Sequence, residues 1–193
     1  MIRNIYILLL LSLSFFIVLV DYGVGDTIST EYQEMEFSFC YPADSSGSTF
    51  SFVEHTGKVI LLDMAASWWG PCFNAIPEGD EIYAHWENDD RVAIIHFLDD
   101  INMPYSCTQW GDYGTIGIPS IVDDGTANTV FNWFENPSSA GLGSLIVFFD
   151  HTITVANIRS SAPSFNMANA IIGNLLNDVP SEISGCVNLA AVS

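Results

Sequence analysis

Basic residues are almost missing from this chain. Its 193 residues include four Lys plus Arg against 23 Asp plus Glu, which gives a formal net charge of −19 and an isoelectric point near 4.1. Nucleic acid is excluded as a partner, because phosphate binding needs a basic surface that displaces counterions. Anionic membrane surfaces are excluded by the same sign of charge. A saline or calcium-rich medium would screen this self-repulsion, although an ordinary acidic secreted protein explains the charge equally well.

The sequence also lacks the common signatures of phosphate, hydrolase and metal sites. It contains neither a phosphate-binding glycine loop nor a Gly-x-Ser-x-Gly turn. Its four histidines are not paired at metal-ligand spacing, and its acidic pairs do not follow the twelve-residue calcium loop. We therefore predict no metal site and no cofactor. His96 lies inside an apolar run, and a hydrogen-bonded core histidine or a solvated one is favoured over a zinc ligand.

Apolar residues, in contrast, are plentiful. The composition is 49% hydrophobic and 13% aromatic, so the chain has ample material for a core and is not of the disordered class. Trp110, Trp133 and Phe134 are expected in that core rather than at a cofactor. The length suits one compact domain once an apolar N-terminal segment is set aside.

The N-terminal segment has the order of a secretory signal. Arg3 and the terminal amine precede an uncharged apolar run from Ile5 to Val20. These 16 residues span about 24 Å as a helix, less than a hydrocarbon core of about 30 Å, so cleavage is favoured over anchoring. We predict that residues 1–25 are a signal peptide or N-terminal anchor and that residues 26–193 form a single domain, exported to the periplasm or secreted.

Export would place the cysteines in an oxidising compartment, where disulfides persist. The chain has four of them, Cys40, Cys72, Cys107 and Cys186, and they allow three complete pairings. Cys40 and Cys186 flank the predicted core, so a structural disulfide between them is a reasonable hypothesis. The alternative is that each cysteine is a buried, unreactive small hydrophobic residue.

The hydrophobic pattern predicts an α/β domain. Apolar runs at 59–65 and 92–98 are typical of strands covered on both faces, and the helical spacing between them predicts a helix that contains Pro77. A right-handed crossover would make the two strands parallel and bring their carboxyl ends to one edge, where open α/β sheets usually place their chemistry. A hairpin at 145–158 and an amphipathic helix after Ser164 follow.

Shorter elements are expected between these. Residues 26–48 read as a lead-in strand or loop, residues 123–125 as a turn, and residues 136–143 as a loop. Short strands are predicted at 49–53 and 118–122, and short helical segments at 107–110 and 129–134.

The turn that opens the first helix reads Trp68-Trp69-Gly70-Pro71-Cys72, and Pro77 falls five residues after Cys72. With this turn and the order strand, helix, strand, hairpin, helix, residues 48–179 resemble the thioredoxin fold, and among its members the exported thioredoxin-like redoxins. The resemblance implies a central mixed sheet flanked by helices. It also implies reduction of a protein disulfide, a small-molecule disulfide or a peroxide.

One residue departs from that family at the position that matters most. The family's turn reads Trp-Cys-Gly-Pro-Cys; the first cysteine attacks a substrate disulfide as a thiolate and the second resolves the mixed disulfide. Here Trp69 occupies the nucleophile position and Cys72 the resolving one. Indole cannot attack a disulfide, so the dithiol cycle is impossible within this motif as written. The family's cis-proline also has no counterpart at Gly143 or Ser144, and Pro119 replaces it only if loops are rearranged.

Three interpretations of Trp69 remain open. In the first, Cys72 pairs with Cys107, which follows the neighbouring strand, and the redox couple is relocated. In the second, Trp69 is a misread selenocysteine codon, since residues 66–70 also resemble the selenocysteine turn of glutathione peroxidases; selenium then attacks and Cys72 resolves. In the third, the redox activity is lost, and Trp68 and Trp69 form an exposed aromatic ledge that binds a partner or peptide.

Overall fold

The computed structural model describes residues 22–43, 47–114, 120–125, 129–134, 145–159, 161 and 164–178. Its helices there are α1 (Thr30–Gln33), α2 (Gly70–Trp86), α3 (Cys107–Gly111) and α4 (Phe165–Leu176), with 3-10 turns at Phe52–His55 and Phe131–Trp133. Its strands there are β1 (Phe37–Tyr41), β2 (Thr49–Phe50), β3 (Val59–Ala66), β4 (Val92–Asp99), β5 (Ile121–Gly125), β6 (Leu145–Phe149) and β7 (Val155–Arg159).

The strands of the described residues form one mixed sheet in the order β2-β1-β5-β4-β3-β6-β7. Strand β3 pairs in parallel with β4, from Val59 opposite Val92 to Ala66 opposite Asp99, and antiparallel with β6. Strand β5 adds in parallel to β4 and places Gly125 opposite Asp99. Strands β6 and β7 pair antiparallel, so the predicted parallel pair and hairpin are both confirmed. The carboxyl ends of β3, β4 and β5 meet at one edge of the sheet, called the carboxyl edge below.

Alternating residues of the strands supply two cores, one on each face. Ile60, Leu62 and Met64 of β3 face an aromatic-rich core that contains Trp133 and Phe134. Residues Val59 and Leu61 instead pack with Ile82 of α2 and with the apolar side of α4. A third cluster, nearer the carboxyl edge on this second face, contains Ala65, Cys72, Ile76, Leu98, Cys107, Trp110 and Ile121. The three aromatic residues expected in the core are therefore buried: Trp110 in this third cluster, and Trp133 and Phe134 in the aromatic-rich core.

Helix α2 crosses this second face and begins where the sequence predicts. Pro71 suits the first turn, since its ring presets φ and the N–H that it lacks would have no partner within the helix. Cys72, Ile76 and Asp80, spaced four apart, are buried toward the sheet. Helix α4 lies beside α2, and the Trp86 indole N–H donates to Asn169 Oδ1 at 2.7 Å. Ser164 caps α4, as predicted.

Some shorter elements differ from the prediction. The strand expected at 49–53 ends at Phe50, because Phe52 turns into the aromatic core and starts a 3-10 turn. The acidic turn expected at 123–125 belongs to β5, because the Asp124 carboxylate is buried as an acceptor of backbone N–H groups. The lead-in segment contains both α1 and β1.

Several predicted features fall outside the described residues. These are most of the proposed signal segment, the first residues of the strand expected at 118–122, the loop at 136–143, and the positions Pro119, Gly143 and Ser144 named for a cis-proline. Within the part of the chain that the structure describes, no helix is both long and apolar enough to span a bilayer.

Candidate active site

A tight turn connects β3 to α2 at the carboxyl edge. The Trp69 N–H donates to the Ala66 carbonyl at 3.0 Å, and Trp69 is the N-cap residue of α2, with extended backbone angles (φ −91°, ψ 98°). Its carbonyl accepts the N–H groups of Cys72 at 3.0 Å and Phe73 at 3.3 Å. Residue 69 thus lies at the positive end of the helix dipole, a location that favours a negatively charged group. This placement agrees with the sequence prediction for the turn.

The two adjacent tryptophans have different surroundings. Trp68 is 39% exposed, and its indole N–H donates to Asp100 Oδ2 at 2.8 Å. Trp69 is half-buried and packs against the apolar cluster that includes Cys72. The two rings meet edge to face, with centroids 5.4 Å apart and planes at 86°. Trp68 is therefore held in place on the surface, while Trp69 packs between the exposed Trp68 ring and the apolar cluster beneath it.

A buried serine joins this turn to the loop that follows β4. The Ser67 N–H donates to the Asp99 carbonyl at 3.0 Å, and its hydroxyl donates to the Asp100 carbonyl. The same hydroxyl accepts the Met103 N–H at 3.2 Å. Asp100 and Asn102 adopt left-handed backbone angles (φ 52° and 72°), which these residue types tolerate better than most. The two loops are thus connected as one unit at the carboxyl edge.

The disulfide differs from both sequence hypotheses. Cys40 in β1 is bonded to Cys107, the first residue of α3, with Cα atoms 6.0 Å apart. The predicted pairing of Cys40 with Cys186 is therefore wrong, and so is a couple between Cys72 and Cys107. The reason is topological: β1 adds to β5 beside β4, which brings Cys40 close to the helix that follows β4. Cys186 itself lies outside the described residues.

Cys72 remains a thiol in this arrangement. It is 5% exposed and belongs to the same apolar cluster as Cys107 and Trp110. A dissolved disulfide or oxidant therefore has little direct access to its sulfur. Any reaction at this turn would have to start at residue 69 or 68, which lie closer to the surface.

A buried hydrogen-bond chain runs beneath α2, and sequence analysis did not find it. Asp63 of β3 lies opposite His96 of β4, and Asp63 Oδ2 is 2.9 Å from His96 Nδ1. The indole N–H of Trp110 donates to His96 Nε2 at 2.9 Å. Because indole nitrogen only donates, Nε2 must accept and the proton of the neutral ring must be on Nδ1. His96 is thus a core histidine, the first of the two predicted alternatives, with both ring nitrogens bonded.

Two buried carboxyl groups form a second polar feature, on the opposite face of the sheet. Asp99 and Asp124 are hydrogen-bonded to each other at the ends of β4 and β5. Burial raises the pKa of Asp99 to about 9 and that of Asp124 to about 6. Asp124 also accepts the N–H groups of Val130 and Phe131, which favour its ionised form. The pair therefore retains one shared proton at neutral pH.

This shared proton makes stability fall as pH rises. The pKa of Asp99 is above its unfolded value, so its contribution is complete below about pH 4 and is lost toward pH 9. One retained proton corresponds to at most about 1.4 kcal/mol per pH unit. We expect Asp99→Asn to flatten the pH dependence of the urea midpoint and to be more stable than wild type at pH 8.

The matched control is Glu36→Gln, which removes one exposed charge and should leave the pH slope as in wild type. Parallel curves for wild type and Asp99→Asn between pH 4 and 9 would contradict the shared proton.

Comparison with known proteins identifies the fold. No protein-family model matches the chain, and no curated protein matches its sequence. Solved structures do match. Mycobacterium tuberculosis DsbF is 15% identical with a TM-score of 0.59, over 77% of this chain and 99% of that one. A secreted thiol-disulfide isomerase from Corynebacterium glutamicum is 13% identical with a TM-score of 0.58, over 80% and 99%. The chain has the thioredoxin-like fold.

A third match is consistent with this. A thiol:disulfide interchange protein of the thioredoxin family from Chlorobium tepidum is 16% identical with a TM-score of 0.57, over 73% of this chain and 93% of that one. At these identities the likeness establishes the thioredoxin-like fold and leaves the activity to be argued from the site. Among the described residues, no group of three His, Cys, Asp or Glu side chains is placed to hold a metal ion.

Proposed function

We propose that this chain carries the site of an exported thiol–disulfide oxidoreductase, in which a sulfur or selenium at position 69, where the sequence has Trp69, is the attacking group and Cys72 is the resolving one. The observation that supports it is the place of residue 69. It is the N-cap of a helix at the carboxyl edge of the parallel strands β3 and β4, three residues before a thiol. A thiolate or selenolate at such a position is stabilised by the helix dipole. Proteins of similar fold that are named for thiol–disulfide chemistry support the same class.

The proposed reaction has two steps. The sulfur or selenium at position 69 bonds to one sulfur of a substrate disulfide and releases the other as a thiolate. Cys72 then attacks the group at position 69, which releases the substrate as a dithiol and leaves positions 69 and 72 bonded. Two electrons pass to the substrate, and an external thiol reductant must restore the site. With tryptophan at 69 neither bond forms, so turnover requires cysteine or selenocysteine at that position, and the tryptophan form only binds the substrate.

Restoring a nucleophile tests this proposal. We expect Trp69→Cys to reduce insulin, measured by turbidity with dithiothreitol as reductant, at least about 100-fold faster than wild type, because loss of a nucleophile commonly costs more than that. Trp68→Cys is the matched control, since it places a thiol one residue before the helix cap, and it should stay at background. Adding Cys72→Ser to Trp69→Cys should trap a mixed disulfide. If Trp69→Cys is as inert as wild type, the proposal fails. The same variants tested with hydrogen peroxide decide whether a peroxide is also a substrate.

Inspection of codon 69 decides whether the natural protein has selenocysteine or tryptophan at this position. A UGA codon followed by a selenium-insertion hairpin would mean that selenocysteine occupies position 69 in the natural protein. A UGG codon removes the selenium interpretation and makes tryptophan the native residue at position 69.

Export is the part of the proposal that depends on the N-terminal segment and on the disulfide. The apolar run before residue 21 has the order of a signal, and a disulfide such as Cys40–Cys107 persists in oxidising compartments. Solved proteins of similar fold include ones described as secreted. We propose a periplasmic or extracellular location for the domain.

A second candidate function is a binding module without redox turnover. It is favoured by one observation: Trp68 is exposed and fixed beside a position that, as written, cannot attack a disulfide. In that case the wild-type chain should bind peptides, Trp68→Ala should weaken the binding, and Trp69→Cys should remain inert in the insulin assay.

A further inference from the structure

An aromatic surface surrounds the turn and extends well beyond it. Phe73, in the first turn of α2, is stacked on Tyr105 with ring centroids 4.0 Å apart and planes at 3°. Tyr113 contacts the same ring at 3.9 Å and is 46% exposed. Met103 is 56% exposed and is tied to the turn through Ser67. We call these residues and Trp68 the aromatic surface: Trp68, Phe73, Met103, Tyr105 and Tyr113.

Carboxylates border this aromatic surface. Asp100 holds the Trp68 indole, and exposed Asp112 directly precedes Tyr113 in the chain. Exposed Asp123 of β5 alternates to the same face of the sheet as Ile121, which packs in the cluster beneath Trp69 and Phe73. The border therefore carries carboxylates from the segment between β4 and β5 and from β5 itself.

Positive charge is absent from this part of the sequence. Residues 92–158 contain no lysine or arginine, so the loops at the carboxyl edge cannot neutralise their own carboxylates. Lys58 and Arg91 directly precede β3 and β4, which places them at the other end of these strands. Arg91 is moreover paired with Asp89 at 2.8 Å. The third described cation, Arg159, ends β7, which is separated from β3 by β6.

We propose that the aromatic surface binds an extended segment of unfolded polypeptide in which lysine or arginine alternates with apolar residues. This deepens the proposed function, on which it rests, because it names the class of protein that would present a disulfide to position 69. Apolar side chains of the segment cover Trp68, Met103 and Tyr113, and its cations lie against ring faces and carboxylates. A second copy of this chain is a poor occupant, since each copy carries a net charge of −19.

The surface is largely formed before a partner arrives. Trp68 is held by a hydrogen bond and by its edge-to-face contact with Trp69, and Phe73 is held between two tyrosine rings. Little side-chain freedom is lost there on binding, which favours affinity for a segment that must itself be ordered.

The test uses disulfide-free peptides, so that binding is measured apart from redox chemistry. Peptides of equal length are built from leucine, serine and one repeated residue, which is lysine, glutamine or glutamate. Calorimetry with the wild-type domain at low salt should give about tenfold tighter binding of the lysine peptide than of the glutamine peptide, and weaker binding still of the glutamate peptide. The preference should shrink as salt is added. Trp68→Ala should weaken binding of the lysine and glutamine peptides about tenfold.

Two double variants compare the removal of carboxylate charges at the border of the aromatic surface with the same removal elsewhere. The double variant Asp112→Asn, Asp123→Asn keeps the oxygens that accept from Tyr41 and Gly125, and it should weaken the lysine peptide about fivefold. Glu31→Gln, Glu54→Gln removes two exposed charges elsewhere and should leave that affinity unchanged.

Two results of the peptide titrations would overturn the inference: equal affinity for the three peptides, or equal effects of the two double variants. A stable dimer of the wild-type domain in sedimentation that Trp68→Ala dissociates would also overturn it, since a second copy would then be the occupant. The insulin assay of Trp69→Cys is scored separately. If Trp69→Cys reduces insulin but the wild type binds the three peptides equally, only this inference is contradicted. If the wild type prefers the lysine peptide but Trp69→Cys does not reduce insulin, only the oxidoreductase proposal is contradicted.

Discussion

Replacing Cys40 with serine lowers the free energy of unfolding by about 4 kcal/mol. The disulfide closes a loop of 67 residues. In the chain-entropy model a loop of this length lowers the conformational entropy of the unfolded state, which destabilises that state by about 4 kcal/mol. Opening the loop removes this contribution. Urea unfolding followed by far-ultraviolet circular dichroism measures the difference. Cys107→Ser should give the same loss, because either substitution opens the same loop.

Two controls make this result specific. Cys72→Ser alters a buried thiol outside the disulfide and should cost far less. Dithiothreitol should destabilise wild type to the level of Cys40→Ser but leave the Cys40→Ser, Cys107→Ser double variant unchanged. If wild type were equally stable in the presence and absence of the reductant, the bond between Cys40 and Cys107 would not be a stabilising element.

Replacing Trp110 with phenylalanine is expected to cost about 3 kcal/mol. The substitution removes the N–H that donates to His96 Nε2, and an acceptor left buried without a partner costs about 1–3 kcal/mol. The smaller ring adds a cavity in the cluster that holds α3 against the sheet. Urea unfolding measures the loss, and nitrogen chemical shifts of His96 measure its tautomer.

Trp133→Phe is the comparison for that variant, since it removes a similar volume from the core on the other face. It should cost less than Trp110→Phe and should leave the His96 resonances unchanged. In wild type we expect the Nδ1-protonated tautomer; in Trp110→Phe Asp63 still accepts from Nδ1, so this tautomer persists while the Nε2 shift moves with the loss of its hydrogen bond. Equal costs for the two variants together with an unaltered His96 spectrum would contradict the hydrogen-bond chain.

The main elements could be predicted because their signals are local. Strands β3 and β4 are nearly continuous apolar runs, and Pro71 marks the first turn of α2. Ser164 is a capping residue directly before an amphipathic pattern. These features depend on residues within one element, so one sequence was enough to find them.

The features that could not be predicted depend on distant contacts. Cys40 meets Cys107 only because β1 adds to β5, and nothing near either cysteine in the chain indicates that pairing. Asp124 has the sequence context of a solvated turn, yet it is buried because Val130 and Phe131 return over it. The partners of His96 are 33 residues away in β3 and 14 away in α3. The apolar pattern around the histidine indicates a buried strand. It does not indicate which side chains form hydrogen bonds with the two ring nitrogens in the core.

The connection between β1 and α3 has a consequence for the order in which the chain can be completed. During synthesis, the disulfide partner of Cys40 is made 67 residues after it. The residues of β5 that pair with β1, Ile121 and Val122, are made later still. A chain emerging N-terminus first can pair β1 with β2 early, but the edge of β1 that meets β5 stays unpaired until residue 122 has emerged, and Cys40 has no disulfide partner until residue 107 has. The middle of the sheet and the disulfide are therefore completed only after β3, α2 and β4 have been made.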